Sequence, residues 1–204
     1  MISHSQRGLL WLLLLASAVM AIGLIRIRDH AADKLDAVAS SAPLTPPGIL
    51  KTTDVTFLLA NDIDGSLINT ADRIALPDEI HARARYLLNQ LLAQYAKPGS
   101  LHPIAANAGV EDVYFTPVPG GATGDLLAVV NLSGSLLQAH PSGIEAETLT
   151  LLSLIGTLHA NMPEVTQVRF LVDGASRATL AGHADLMRTY LAASASPSPE
   201  PPPQ

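Results

Sequence analysis

The chain has 204 residues, room for about one domain. It has no cysteine, which excludes a disulfide framework, a thiolate metal site, a cysteine nucleophile and an anchor on a lipidated cysteine. Apolar residues make up 48% but aromatics only 4%, so the core is aliphatic; the formal net charge is -6, and past residue 28 nine Lys and Arg stand against eighteen Asp and Glu, an acidic balance without the basic stripe that nucleic acid demands.

Residues 8–25, GLLWLLLLASAVMAIGLI, carry no charge. A helix of that length rises about 27 Å, enough for a hydrocarbon core of roughly 30 Å. Residues 1–28 are read as an N-terminal membrane anchor or signal segment: Ala16-Ser17-Ala18 and the residues up to Ala21 offer small positions for a signal peptidase, while an apolar run beyond the roughly 7 to 15 residues of a signal peptide's core favours an uncleaved single-pass anchor. The acidic composition after Asp29 places the N-terminus in the cytoplasm and the rest on the extracytoplasmic side. Residues 29–53, with SSAPLTPPG at their centre, bury too little apolar surface to fold and form a linker. Residues 193–204, ASASPSPEPPPQ, form a Pro-rich disordered tail. The folded unit is 54–192.

Within it, DVTFLLA (54–60) is a strand closed by the turn residues of 61–65. A helix follows from Pro77 or Asp78 to Ala96, with Ile80, Ala84, Leu87, Leu88, Leu91 and Tyr95 at steps of three and four and Pro98-Gly99 as its stop. Residues 113–117 and 126–132 are strands joined across PGGATGD as a hairpin. Ser142 and Glu145 have the S-x-x-E spacing of a capping box and open a second helix that Pro163 ends. Residues 165–172 form a long strand turned at Asp173-Gly174, with 177–180 as a short return strand. This order predicts an α+β, two-layer domain: a small mixed sheet with two main helices on one face.

Each candidate chemistry fails on residue type. Aligning Gly65 with the glycine of a calcium loop puts Ala60 and Ala71 at ligand positions, so NDIDG is a turn. His81, His102, His140, His159 and His183 are scattered singly, without zinc-ligand spacing, and are expected on the surface. NLSGS has Asn131 and Ser135 where a serine-hydrolase elbow needs glycines, and PGGATGD lacks the lysine of a phosphate loop. No metal and no cofactor is expected. Tyr86, Tyr95, Tyr114, Tyr190, Phe57, Phe115 and Phe170 mostly fall at helix or strand positions expected in the core.

Three stretches carry a family likeness: VTFLLA (55–60) with its acidic turn, LLAVVNLSGSLL (126–137), and VRFLVDG (168–174) followed by TLAGHADL (179–186). Together they resemble the GerMN domain family, the sporulation and spore germination module of bacterial cell-envelope proteins. The resemblance implies an α+β domain similar to ring-building motifs, which pack side by side in envelope assemblies. It supplies no catalytic residue. The motif positions Asn131, Leu132, Ser133, Gly134, Asp173, Gly174, Gly182, His183 and Asp185 are read as structural, with His183 and Asp185 tying down the end of the domain. The resulting expectation is a non-enzymatic envelope protein, anchored by its N-terminal helix, whose domain associates with envelope proteins or with itself. A cell-wall glycan binder or envelope hydrolase is the alternative.

Overall fold

The computed structural model describes residues 52–195. The membrane segment, nearly all of the linker and residues 196–204 lie outside the described residues. Among those described, no helix is long and apolar enough to cross a membrane.

The described residues begin with a hairpin, β1 (Thr52–Asn61) antiparallel to β2 (Ser66–Ala75), which form a two-stranded sheet of their own. The NDIDG turn joins them: the Asn61 side chain accepts the Ile63 amide, the Asp64 side chain accepts the Ser66 amide, and Gly65 takes φ 70°. Helix α1 (Ile80–Tyr95) follows, its amides capped by the Glu79 carboxylate, which binds the His81 and Ala82 N–H groups. Then come β3 (Val110–Pro117), β4 (Leu126–Leu132), the short helix α2 (Gly134–Ala139), helix α3 (Ile144–Asn161), β5 (Val165–Val172), β6 (Tyr190–Leu191) and a 3-10 turn at Ala192–Ala195. The second sheet runs β3-β4-β5-β6. It is mixed: β4 and β5 are parallel, and the outer pairs are antiparallel. The α+β class and the β3–β4 hairpin are as the sequence predicts.

Helix α1 packs on β3, α3 packs on β1 and β5, and the two helices touch each other. Leu87, Leu88 and Leu91 of α1, Leu151, Leu154, Ile155 and Leu158 of α3, and Val113, Val130, Val168 and Phe170 of the sheet interlock in one aliphatic core. Gly156 is where α3, β1 and the 3-10 turn come closest: a Cβ there would run into the Leu58 side chain and sit 3.0 Å from the Ala195 carbonyl oxygen.

The two long helices also seal sheet edges with polar side chains. On α1, His81 donates through Nδ1 to the Val113 carbonyl, and Asn89 both donates to the Val110 carbonyl and accepts its amide. These residues lie two turns apart on one helix face, against the free edge of β3. On α3, Asn161 brackets Thr56 in the same way, and Thr157 accepts the Leu58 amide, so the outer edge of β1 is closed. Tyr95 completes that edge by accepting the Ala60 amide. Unpaired strand edges recruit other chains, and here two are occupied from within.

Two expectations of local structure need correction. The Ser142–Glu145 capping box does not form: the N-cap is Gly143, Ser142 Oγ donates instead to the Ala181 carbonyl, and the carboxylate that reaches back to the Gly143 amide is Glu147, deeper in the helix. Residues 177–180 are not a strand; isolated bridges at Val172–Ala175 and Thr179–Asp185 punctuate a loop, and Tyr190–Leu191 provides the antiparallel neighbour of β5. Most of the aromatics lie in the core, as expected: Phe57, Tyr95, Phe170 and Tyr190 are buried and Phe115 is half-buried, while Tyr86 and Tyr114 are exposed.

Candidate functional site

β4 and β5 end side by side because they are parallel, with Leu132 opposite Val172. Their continuations, NLSG and VDG, therefore meet. Asp173 and Gly174 make a tight turn with φ 48° and 73°, closed by reciprocal bonds between Val172 and Ala175. Positive φ at both central residues is the hairpin-turn geometry that suits Asp-Gly. The turn projects the Asp173 carboxylate to the start of α2, where it accepts the Gly134 amide at 2.7 Å. The Asp173 amide bonds the carbonyl of the buried Leu132 at 3.0 Å. Asn131, itself nearly buried, accepts the Gly174 amide at 2.8 Å and donates to the Glu111 carboxylate at 2.7 Å. Ser133 Oγ accepts the Gly109 amide, and the Ser133 amide returns to the Gly109 carbonyl. NLSG and VDG thus clip together two strand ends, a helix start and the loop before β3.

The second half of the motif is held by one carboxylate. Glu147 projects from the first turn of α3 and is fully buried. Its oxygens accept the amides of Ala181, His183 and Ala184 at 2.8–3.0 Å, and Oε1 accepts His183 Nδ1–H at 2.9 Å. Gly182, at φ 124°, lets the chain curl around the carboxylate. Burial alone would raise the Glu147 pKa, but the His183 bond and the backbone amides outweigh it and hold the group at about 2. Asp185 lies outside this ring and is exposed; its side chain accepts the Met187 amide, and its carbonyl accepts the Tyr190 hydroxyl. Sequence reasoning singled out Gly182 and His183 but missed Glu147, which sits in the helix as an ordinary acidic first-turn residue.

The model of the family described as "Sporulation and spore germination", Germane, matches residues 59–178. The chain belongs to the Germane family. Among solved structures it is similar to a candidate lipoprotein from Clostridium perfringens, at 18% identity over 72% of this chain and 92% of that one, with a TM-score of 0.40. It is also similar to the first GerMN domain of the sporulation protein GerM from Bacillus subtilis, at 14% identity over 67% of this chain and 95% of that one, TM-score 0.43. The tandem GerMN domains of the same protein align at 14% identity over 68% of this chain and 45% of that one, TM-score 0.42. No curated protein matches.

A further polar cluster lies inside the Germane domain, and no local pattern in the sequence announces it. His102 and His140, expected on the surface, are buried. Asp62 Oδ1 lies 2.6 Å from His102 Nδ1, and both His102 Nε2 (2.7 Å) and His140 Nε2 (2.6 Å) reach the hydroxyl of Thr150. His140 Nδ1–H donates to the Pro141 carbonyl. Burial, with the neighbouring His102, lowers the His140 pKa and keeps the ring neutral, so its Nε2 accepts from the Thr150 hydroxyl. Asp62, His102 and Thr150 reproduce the atom order of a hydrolase triad. Thr150, however, is fully buried inside α3, and its hydroxyl is occupied by both rings. The chemistry this arrangement performs is satisfaction of buried polar groups, since a nucleophile needs a face open to substrate.

Among the described residues, cavities open on two parts of the surface, and neither is lined by Thr150 or His102. One, of about 270 Å³, lies between Leu59 and Ile68 of the hairpin, Tyr95 at the end of α1 and Leu101 beyond it. The other, of about 240 Å³, is lined by Leu151, Leu152, His183, Asp185, Arg188 and Tyr190, with the Arg188 guanidinium stacked 4.2 Å from the centre of the Tyr190 ring. Among the described residues, no group of three or more His, Asp or Glu side chains converges as a metal site.

Proposed function

We propose that the chain is an envelope assembly protein: residues 8–25 span the membrane once, residues 29–53 hold the Germane domain off the extracytoplasmic surface, and the domain binds other envelope proteins or itself without catalysing a reaction. The observation that carries this reading is where the motif side chains go. Asn131, Ser133, Asp173 and Glu147 all bond main-chain amides of their own domain. Their chemistry is used to fix loops on a rigid scaffold, which is what a recognition surface requires. The uncharged run 8–25, followed by an Ala/Ser/Pro spacer and an acidic domain, supplies the address.

Two measurements test it. A reporter enzyme active only in the exported compartment, fused after Gln204, gives activity; activity from a cytoplasm-only reporter at the same position contradicts the topology. Cross-linking of the full chain in its native membrane yields discrete higher-mass species that depend on the folded domain and vanish in Glu147→Ala. If the full chain instead stays uncross-linked and releases cell-wall fragments, with His183→Ala and Asp185→Ala abolishing the release, the envelope-hydrolase reading replaces this one.

A further inference from the structure

We propose that two copies of this chain pair through the outer edge of β2, building a continuous antiparallel sheet in the order β1-β2-β2-β1 about a two-fold axis at Ala71. This inference rests on the assembly reading above and names its surface and its occupant.

The direction of each strand's main-chain groups follows from their partners. In β1 the amides of Thr56, Leu58 and Ala60 are bound by side chains of α3 and α1, so the even-numbered residues face away from β2. The odd-numbered residues of β1 therefore make the ladder to β2, and the register pairs Val55 with Asp72, Phe57 with Thr70 and Leu59 with Ile68. Alternation along a strand then turns the groups of Leu67, Asn69, Ala71, Arg73 and Ala75 outward. The Arg73 amide agrees, being bound by its neighbour's carboxylate, Asp72, and not by β1. Residues 68–73 are exposed, and no side chain of another element bonds the outward main-chain groups of Leu67, Asn69, Ala71 or Ala75 among the described residues. The outer edges of β1 and β3 are closed by helix side chains, so β2 offers the long unsealed edge of this domain.

The sequence of β2 favours one register for a second copy. A two-fold axis at Ala71 engages all five outward residues: Ala71 meets its own copy, Asn69 meets Arg73, and Leu67 meets Ala75. The same register sets Ile68 opposite Ile74 and Asp72 opposite Thr70, an apolar pair and a neutral partner for the acid. An axis at Arg73 or Asp72 would face like charges across the ladder. An axis at Thr70 would put Ile68 opposite Asp72, and one at Asn69 would leave Arg73 and Ala75 unpaired. Arg73 is already neutralised within its own hairpin by Asp54 at 2.8 Å, which removes the charge that would otherwise discourage edge pairing. A two-fold contact of this kind is isologous and closes at two copies.

The absence of cysteine makes the test direct. In the full chain, in membranes, Ala71→Cys places two Cα atoms about 5.5 Å apart across the axis, within disulfide reach. Asn69→Cys places them about 14 Å apart, four strand residues out of register and beyond reach. Mild oxidation is expected to convert Ala71→Cys to a dimer on a non-reducing gel and to leave Asn69→Cys monomeric. Separately, two differently tagged copies should co-purify, and Ala71→Pro in both should lower recovery about tenfold or more. That proline removes only an outward N–H, so the β1–β2 ladder and the melting temperature should persist. Equal cross-linking at the two positions, or an Ala71→Cys variant trapped on a different protein, overturns the pairing. Co-purification that survives Ala71→Pro also overturns it, yet leaves the assembly reading intact; copies that never co-purify overturn the pairing and confine assembly to other proteins.

Discussion

The Glu147 carboxylate and the His183 imidazole, 36 residues apart in the chain, meet at 2.9 Å, and the same carboxylate gathers the backbone amides of the loop around His183. That single side chain organises a segment with almost no regular secondary structure. Glu147→Ala leaves several buried amides without an acceptor and should cost on the order of 3 kcal/mol or more, whereas His183→Ala removes one partly exposed donor and should cost about 1 kcal/mol. Urea unfolding of the two variants measures both. A larger loss for His183→Ala would reverse the assignment of which residue organises the loop.

The same carboxylate sets an acid limit. Its pKa of about 2 lies below the ordinary value of 4.5, so its contribution is complete above about pH 4.5 and is lost as pH falls through 2, because the unfolded chain takes up the proton first. The melting temperature of the wild type should decline across that window. Glu147→Gln, already less stable at neutral pH, should decline less.

Thr150 is the shared partner of two buried histidines, and a hydroxyl is the only part of it they need. Thr150→Val keeps the shape and leaves both ring nitrogens unmatched, a loss of about 2–5 kcal/mol; Thr150→Ser should recover most of it. His140, whose pKa burial depresses, favours its neutral form when folded. Its contribution is therefore present above about pH 6.5 and is lost as pH falls below that value, since the unfolded ring protonates first. His140→Gln should flatten the stability curve just below pH 6.5, as read by melting temperature against pH.

Strong local periods made much of the fold legible in advance. β4 and β5, VVNL and VTQVRFLV within their strands, are dense in β-branched and aliphatic residues, and both expected spans coincide with the observed Leu126–Leu132 and Val165–Val172. Helices α1 and α3 show the three-and-four spacing of a buried face. β2 was hidden because SLINTADRIA places polar residues on both faces, as a strand paired on one side and buried on neither can. α2 buries only Leu136, too little to imprint a period on six residues. The polar clusters were hidden for a different reason: His102 and Thr150 are 48 residues apart, Asp62 and His102 are 40, and no local pattern encodes a contact that the whole fold makes. Ser142 and Glu145 have the spacing of a capping box, yet burial selected Glu147 for the role.

At the NLSG–VDG clip, Asp173 both occupies φ 48° and caps Gly134. Asp173→Ala loses the hydrogen bond and strains the turn, whereas Asp173→Gly loses the bond but relaxes the backbone. The alanine variant should be about 1 kcal/mol less stable than the glycine variant, and Asp173→Asn should lie nearest the wild type. Thermal denaturation of the three variants gives the order; alanine equal to glycine would mean that the turn stores no strain.

Along the sealed edge of β1, Tyr95 accepts the Ala60 amide at 2.9 Å and donates to Ser153 at 2.8 Å, and burial pushes its pKa up to about 12 against the opposing pull of those bonds. Tyr95→Phe keeps the ring and strands a buried amide, so it should cost about 1–3 kcal/mol. Because the folded phenol resists ionisation, its contribution is present below about pH 10 and is lost as pH rises through 12. The wild type should therefore lose stability on that alkaline limb more steeply than Tyr95→Phe. Amide exchange locates the damage: Ala60 should lose protection in Tyr95→Phe while Thr56, held by Asn161, keeps it, and Asn161→Ala should give the opposite pattern. Equal loss at both sites in either variant would mean that β1 is released as a whole, and that the two helices do not hold its edge residue by residue.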